Sequence, residues 1–301
     1  MTSGVPAALL QFQLTLRPPT PETSLPQLLA SFDDYTNQDL PVVGEVTRQV
    51  PVREVAGWRV TADIYRPRGE PPYPVLVFFH GGGWVMGSPW THRRLAADLA
   101  ALGLLTILVD YRRAPKHRFP AAFEDAVHAI SWAQDEAPAL GGDTSRLLVG
   151  GDSAGANLAA AALATGQAES VTAALLCYGV FDVHRALPKL TGLIGGPDPA
   201  TQLYLEPYDL TSLVDDPRLH PERYCSDFPP TLVLAGEQDP LLGESQALSE
   251  RLKAASVPYE FVVAPDAPHG FLQLPSHPGH TFGMRAIERF LRRNNAVPSA
   301  Q

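Results

Sequence analysis

The stretch that decides the fold runs from Arg146 to Ala164, RLLVGGDSAGANLAAAALA. It opens with a short apolar run, RLLVG, of strand character, and closes with an alanine-rich segment of helical character. Between them GDSAG, Gly151 to Gly155, puts a serine on a tight strand-to-helix turn. Its neighbours two residues away on either side are both glycine, as they must be small for strand and helix to pack closely. The Ser153 hydroxyl is then presented at a helix N-terminus, whose exposed N–H groups favour developing negative charge.

Outward from this turn, short β-rich runs alternate with helix-length amphipathic segments, the pattern of a mostly parallel sheet covered by helices on both faces. Strands are expected at Val46–Val52, Trp58–Tyr65, Val75–Phe79, Leu105–Asp110, Arg146–Gly150, Ala173–Tyr178, Thr231–Ala235 and Tyr259–Val263. The first two alternate in polarity and are read as an antiparallel edge. Later runs such as PVLVFFH and PTLVLAG are continuously apolar, as befits strands buried on both faces. Helices are expected at His92–Leu102, Ala121–Glu136, Ala154–Thr165, Glu244–Ala255 and Phe282–Arg293, the last with Phe282, Ala286, Ile287, Phe290 and Leu291 on one face. Proline, 30 of 301 residues, gathers before Pro74 and between Pro188 and Pro230. Residues 1–45 are therefore read as an N-terminal cap segment, and 46–301 as the main domain with a cap insertion at about 183–227.

Three further motifs carry chemistry. HGGGW, His80 to Trp84, follows the buried strand PVLVFF, and its successive glycines let the main chain turn N–H groups toward one point. With Gly82, Gly83 and Ala154 as donors, such a loop would hold the oxyanion of a tetrahedral intermediate. No Gly-Lys-Ser follows and the GxGxxG spacing is absent, so a phosphate or dinucleotide cradle is not indicated. Asp239 lies just beyond PTLVLAG, and His269 just beyond YEFVVA. Ser153, Asp239 and His269 thus end three strands in the order serine, acid, histidine, on the side where open α/β sheets bind ligands. His92, His117, His128, His184, His220, His277 and His280 lack that context and are read as structural. None forms His-Glu-x-x-His, so neither a metal nor another cofactor is expected.

Composition narrows the partners. A net charge of −9 with no basic run argues against nucleic acid, whose binding draws on Lys and Arg. No apolar stretch approaches the roughly 20 residues of a membrane helix, so no membrane insertion is expected. The N-terminus lacks the basic region of a secretory signal, which suggests a cytoplasmic protein. Cys177 and Cys225 are too few for a disulfide framework and are read as free thiols, Cys177 in a strand.

Together HGGGW, DYRRAPKHRFPAAFED (110–125), GDSAG, EQDPLLGE (237–244) and HGF (269–271) resemble the hormone-sensitive-lipase family of bacterial esterases. The resemblance implies an α/β-hydrolase fold with a small helical cap, and a carboxylic ester hydrolase acting on short- to medium-chain acyl esters without cofactor. It implies the triad Ser153, Asp239 and His269, oxyanion donors from the 80–83 loop, a matching carboxylate at Glu244, and a bracing role for residues 111–120. Two departures stand out: Leu242 and Gly243 replace the Arg and Asp of the family's DPLRDE, and Gly179 stands where proline is common. Leu28, Leu29, Phe32, Leu190, Leu193 and Leu203 are candidates for an apolar acyl site or for ordinary cap core. The same triad would serve an N-acyl amide hydrolase of deacetylase or formamidase type. A non-catalytic small-molecule receptor is the alternative of another class, although plant receptors resembling this chain lack the histidine. The sequence does not decide between monomer and homodimer.

Overall fold

The computed structural model describes residues 34–186, 204–206 and 212–297. Within them, β1 (Glu45–Val55), β2 (Trp58–Arg66), β3 (Tyr73–Phe79), β4 (Leu105–Asp110), β5 (Gly142–Asp152), β6 (Ala173–Cys177), β7 (Thr231–Gly236) and β8 (Tyr259–Ala264) form one sheet of order β1-β2-β4-β3-β5-β6-β7-β8. The β1/β2 and β2/β4 pairs are antiparallel and every other pair is parallel. The expected edge is therefore real, and β1 is exposed along most of its length.

The continuously apolar strands are buried from end to end, as β3 and β7 show. Because alternate side chains leave a strand on opposite faces, Val75, Val77 and Phe79 enter one core while Leu76 and Phe78 enter the other. The first core is closed by α2 (Ala121–Glu136), α3 (Ala154–Ala164) and α4 (Leu242–Ala254). The second is closed by α1 (Arg93–Ala101) and α5 (Pro278–Arg293). No described helix is long and apolar enough to cross a membrane.

Helix α5 departs from the sequence expectation. It starts at Pro278 rather than Phe282, because proline suits the first helical position and the His277 side chain accepts the Gly279 N–H at 2.9 Å. Phe282, expected on the core face, is 40% exposed. Gly283 takes the inner position instead: a methyl there would lie 2.6 Å from Leu272 Cδ2 and 2.8 Å from the Phe271 ring. His280, expected in irregular chain, is a buried helical residue with Nδ1 2.7 Å from the Leu272 carbonyl.

Most of the expected N-terminal cap, including Leu28, Leu29 and Phe32, lies outside the described residues, as do Leu190, Leu193 and Leu203 of the expected insertion. Further along, a 3-10 turn at Pro221–Tyr224 leads into β7.

The motif between Asp110 and Asp125 closes on itself. Asp125 is fully buried and accepts the Arg112 backbone N–H at 2.9 Å, Arg112 Nε at 2.8 Å and Arg53 Nη1 at 3.1 Å. A carboxylate so deep is tolerated only when paired. Asp125→Ala leaves the buried Arg112 guanidinium with only the exposed Glu124 carboxylate and the Ala121 carbonyl as partners, and urea unfolding should show a loss of about 3–5 kcal/mol. A loss below about 1 kcal/mol would mean that water reaches the cation.

Candidate active site

At the end of β5 the chain reverses into α3 within one residue. Ser153 adopts φ 53° and ψ −117°, a conformation that costs a non-glycine residue about 1–3 kcal/mol. The crossing that forces it is tight. A methyl on Gly155 would sit 1.9 Å from the Phe79 carbonyl oxygen, and one on Gly151 would sit 2.3 Å from the Gly155 carbonyl carbon. Ser153 N–H donates to the Cys177 carbonyl at 2.9 Å, fixing the turn to β6.

The loops after β7 and β8 bring the other two residues to this serine. His269 Nε2 lies 3.0 Å from Ser153 Oγ, and His269 Nδ1 lies 2.9 Å from Asp239 Oδ2. The second Asp239 oxygen accepts the Leu241 N–H at 2.7 Å, which aims the carboxylate. The two loops touch through main chain: Gln238 N–H donates to the Ala267 carbonyl at 3.0 Å, and a methyl on Gly236 would lie 2.2 Å from that oxygen. Tyr178 meets the His269 ring edge-on, with centroids 5.2 Å apart. Burial pulls the His269 pKa down, but the charge and hydrogen bond of Asp239, aided by Asp152, outweigh it and raise the pKa above 6.5.

The loop leaving β3 lies alongside. Gly82, Gly83 and Trp84 have φ of 127°, 59° and 61°, a run of left-handed backbone. The Gly82 carbonyl accepts from Val85 and Met86, while the Gly82 and Gly83 N–H groups find no backbone acceptor among the described residues. Ala154 opens α3, where N–H groups have no intrahelical acceptor. His80 is fully buried and stacks on Tyr111 at 4.3 Å, whose hydroxyl donates to the His80 carbonyl at 2.7 Å. Burial, with the nearby His92, holds the His80 pKa far below 6.5, so its ring is neutral.

Several contacts of this region carry no sequence signal. Asp152 Oδ1 accepts the Gly81 N–H at 2.8 Å and lies 3.3 Å from His92 Nε2. Gln273 donates to Asp152 Oδ2 at 3.2 Å and also contacts His92 Nε2. His92, expected within a helix, is the residue that precedes α1. Glu244 is buried and accepts the Asp182 N–H at 3.0 Å. Arg185 bonds both Glu244 oxygens at 2.7 and 2.8 Å and forks Glu222 with its other edge. A cation from elsewhere in the chain thus serves the acidic loop that lacks the family's Arg. The departure at Gly179 also has a cause, since a methyl there would lie 2.4 Å from the Phe181 ring and 2.7 Å from Ala156 Cβ.

Asp182, His184 and His220 bring metal-ligating atoms within 4.8 Å of one another. His220 Nδ1 lies 3.1 Å from Asp182 Oδ1 and its Nε2 lies 2.9 Å from His184 Nδ1, so each nitrogen already faces a neighbour. Arg223 and Arg185 stand 3.2 and 3.7 Å from the same carboxylate, a field that opposes a further cation.

A profile of the family described as alpha/beta hydrolase fold matches residues 76–273, from β3 through the turn beyond His269. The chain belongs to the hormone-sensitive-lipase family of α/β hydrolases. Among curated relatives of this α/β hydrolase, carboxylesterase NlhH of Mycobacterium tuberculosis is 32% identical over 212 residues, 66% of either chain. Carboxylic ester hydrolase LipN of the same species is 36% identical over 234 residues, 71% of this chain and 61% of that one. The matched region thus spans 66% and 61% of the length of these two relatives, less than two thirds of each. A hyperthermophilic esterase from the archaeon Pyrobaculum calidifontis superposes with a TM-score of 0.78 at 30% identity, covering 96% of this chain and 97% of that one.

The histidine environment is testable without substrate. Carbon-detected titration of the imidazole should place the His269 midpoint above 6.5, and Asp239→Asn should bring it down, since the largest raising influence is that carboxylate. A midpoint at or below 6.5 in the parent protein, or no movement in the variant, contradicts this electrostatic reading.

Proposed function

We propose that this α/β hydrolase is a serine carboxylesterase acting on short- to medium-chain acyl esters. Ser153 is the nucleophile, His269 the proton carrier, and Asp239 the residue that orients the imidazole. The observation that carries the proposal is the unbroken hydrogen-bonded line Ser153 Oγ, His269 and Asp239, at 3.0 and 2.9 Å, beside a loop whose Gly82 and Gly83 N–H groups find no backbone acceptor among the described residues.

The cycle follows from that line. His269 Nε2 takes the hydroxyl proton as Ser153 Oγ attacks the ester carbonyl, and Asp239 stabilises the imidazolium that forms. The carbonyl oxygen, now an anion, is held by the Gly82, Gly83 and Ala154 N–H groups, each such donor contributing about 3 to 4 kcal/mol. Collapse expels the alcohol, which receives the proton from His269. Water then repeats the attack on the acyl-enzyme, and the acid departs. Catalysis needs a neutral His269, so its raised pKa sets the acid limb of kcat/KM above pH 6.5.

The names borne by NlhH, LipN and the Pyrobaculum protein support an ester over an amide. The net charge of −9 favours neutral over anionic substrates.

The test is hydrolysis of p-nitrophenyl esters from acetyl to dodecanoyl. Activity should peak among the shorter chains, Ser153→Ala should fall to background, and Asp239→Asn should lose about 10⁴ in kcat. Equal rates for the parent and Ser153→Ala would remove the nucleophile assignment. Turnover of matched amides in place of esters would remove the substrate class.

A further inference from the structure

The oxyanion loop ends in a residue that ought not to be there. Trp84 is the third consecutive position with positive φ and, unlike Gly82 and Gly83, it carries a large side chain. Backbone strain of this kind persists only where the surroundings over-determine it. Two contacts do so. The Trp84 carbonyl accepts the Ala114 N–H at 3.0 Å, and the fully buried Trp84 ring lies flat on Tyr204, with centroids 4.4 Å apart and planes 4° from parallel.

Tyr204 belongs to none of the sheet's strands. It comes from the segment between β6 and β7, and it is pinned in place by one main-chain bond to Phe119 and by the Arg118 side chain. Phe119 N–H donates to the Tyr204 carbonyl at 2.9 Å, Arg118 Nη1 donates to the Leu205 carbonyl at 2.9 Å, and Arg118 Nε pairs with Glu206 at 3.1 Å. The Phe119 ring meets Tyr204 edge-on at 5.8 Å. Tyr204 is itself 1% exposed, so the stack has no freedom to slide toward solvent.

We propose that Tyr204 is a positioning residue for the reaction: stacked on Trp84, it holds residues 82–84 in the left-handed backbone that aims the Gly82 and Gly83 N–H groups at the acyl oxygen. The inference rests on the esterase reading above and deepens it. Its consequence is that the segment inserted before β7 is mechanically joined to the oxyanion donors, through one aromatic face rather than through substrate. A transition state is more sensitive than a bound ester to where these donors point, because full charge appears on the oxygen only there.

The experiment compares Tyr204→Phe, Tyr204→Leu and Tyr204→Ala with the parent in kcat and KM for p-nitrophenyl acetate, and in inhibition by an aryl trifluoromethyl ketone, whose adduct carries the oxyanion. Phe keeps the ring and should stay within about twofold of the parent, whereas Leu fills much of the space without a stacking face. Leu and Ala should lower kcat by up to about 10²-fold, the scale of a small misplacement of a catalytic group. KM should change by less than about threefold, and ketone affinity should weaken by the same factor as kcat. Retained kcat in the Leu variant overturns the proposal, as does a fall in kcat that leaves ketone binding intact. Should Ala prevent folding, Leu against Phe decides the matter alone. Failure of the esterase reading would look different: the parent would be inert, or Ser153→Ala as active as the parent.

Discussion

The site depends on the contact of two stretches of main chain. Helix α3 leaves β5 so close to the end of β3 that only a hydrogen atom fits between Gly155 Cα and the Phe79 carbonyl. Nothing but glycine permits that approach, and the approach sets two things together. It bends Ser153 into its strained conformation, and it holds the turn that begins at His80 beside it. The separation of Ser153 from the 80–84 turn is therefore set in the first place by backbone geometry. The parallel register of β7 and β8 extends the same logic, because the Gly236 to Ala267 contact fixes the acid loop against the histidine loop.

Around this backbone frame the buried carboxylates serve different ends. Asp239 divides its oxygens between a main-chain N–H and the histidine ring. Asp152 divides its own between the Gly81 N–H and Gln273, joining the loop after β3 to the turn beyond His269. Asp125 and Glu244 are closed by guanidinium groups and take no part near the serine. A carboxylate in contact with N–H donors keeps some field for its neighbours, whereas one locked to arginine is neutralised at short range. The raised His269 pKa reflects the first arrangement.

What could be read from sequence was local. Continuous apolar runs and the glycines flanking Ser153 located the sheet and its turn, because period and spacing are properties of neighbouring residues. Helix α2 falls at Ala121–Glu136 as expected. The true start of α5 is hidden in the sequence because a histidine cap before Pro278 follows no usual capping preference, and the outward turn of Phe282 is hidden because periodicity does not show that glycines can form the packing face. Contacts joining distant positions left no trace. Arg185 meets Glu244 across 59 residues, Gln273 meets Asp152 across 121, and no spacing rule connects Trp84 to Tyr204.

The clamp of Arg185 on Glu222 and Glu244 has an evolutionary corollary. With Val183 N–H also bonded to the Leu219 carbonyl at 2.9 Å, the chain departs from and returns to the same spot. Tyr204 pins it once on the way, through its contacts with Phe119 and Trp84. Lengthening a closed loop is thermodynamically cheap, about 0.6 kcal/mol for each doubling. Insertions and deletions between residues 186 and 219 can therefore accumulate while the hydrolytic centre keeps its shape, provided the stacked tyrosine stays. Lineages descending from such a chain would diversify by the lengths of the two spans flanking that tyrosine before they changed a residue of the sheet.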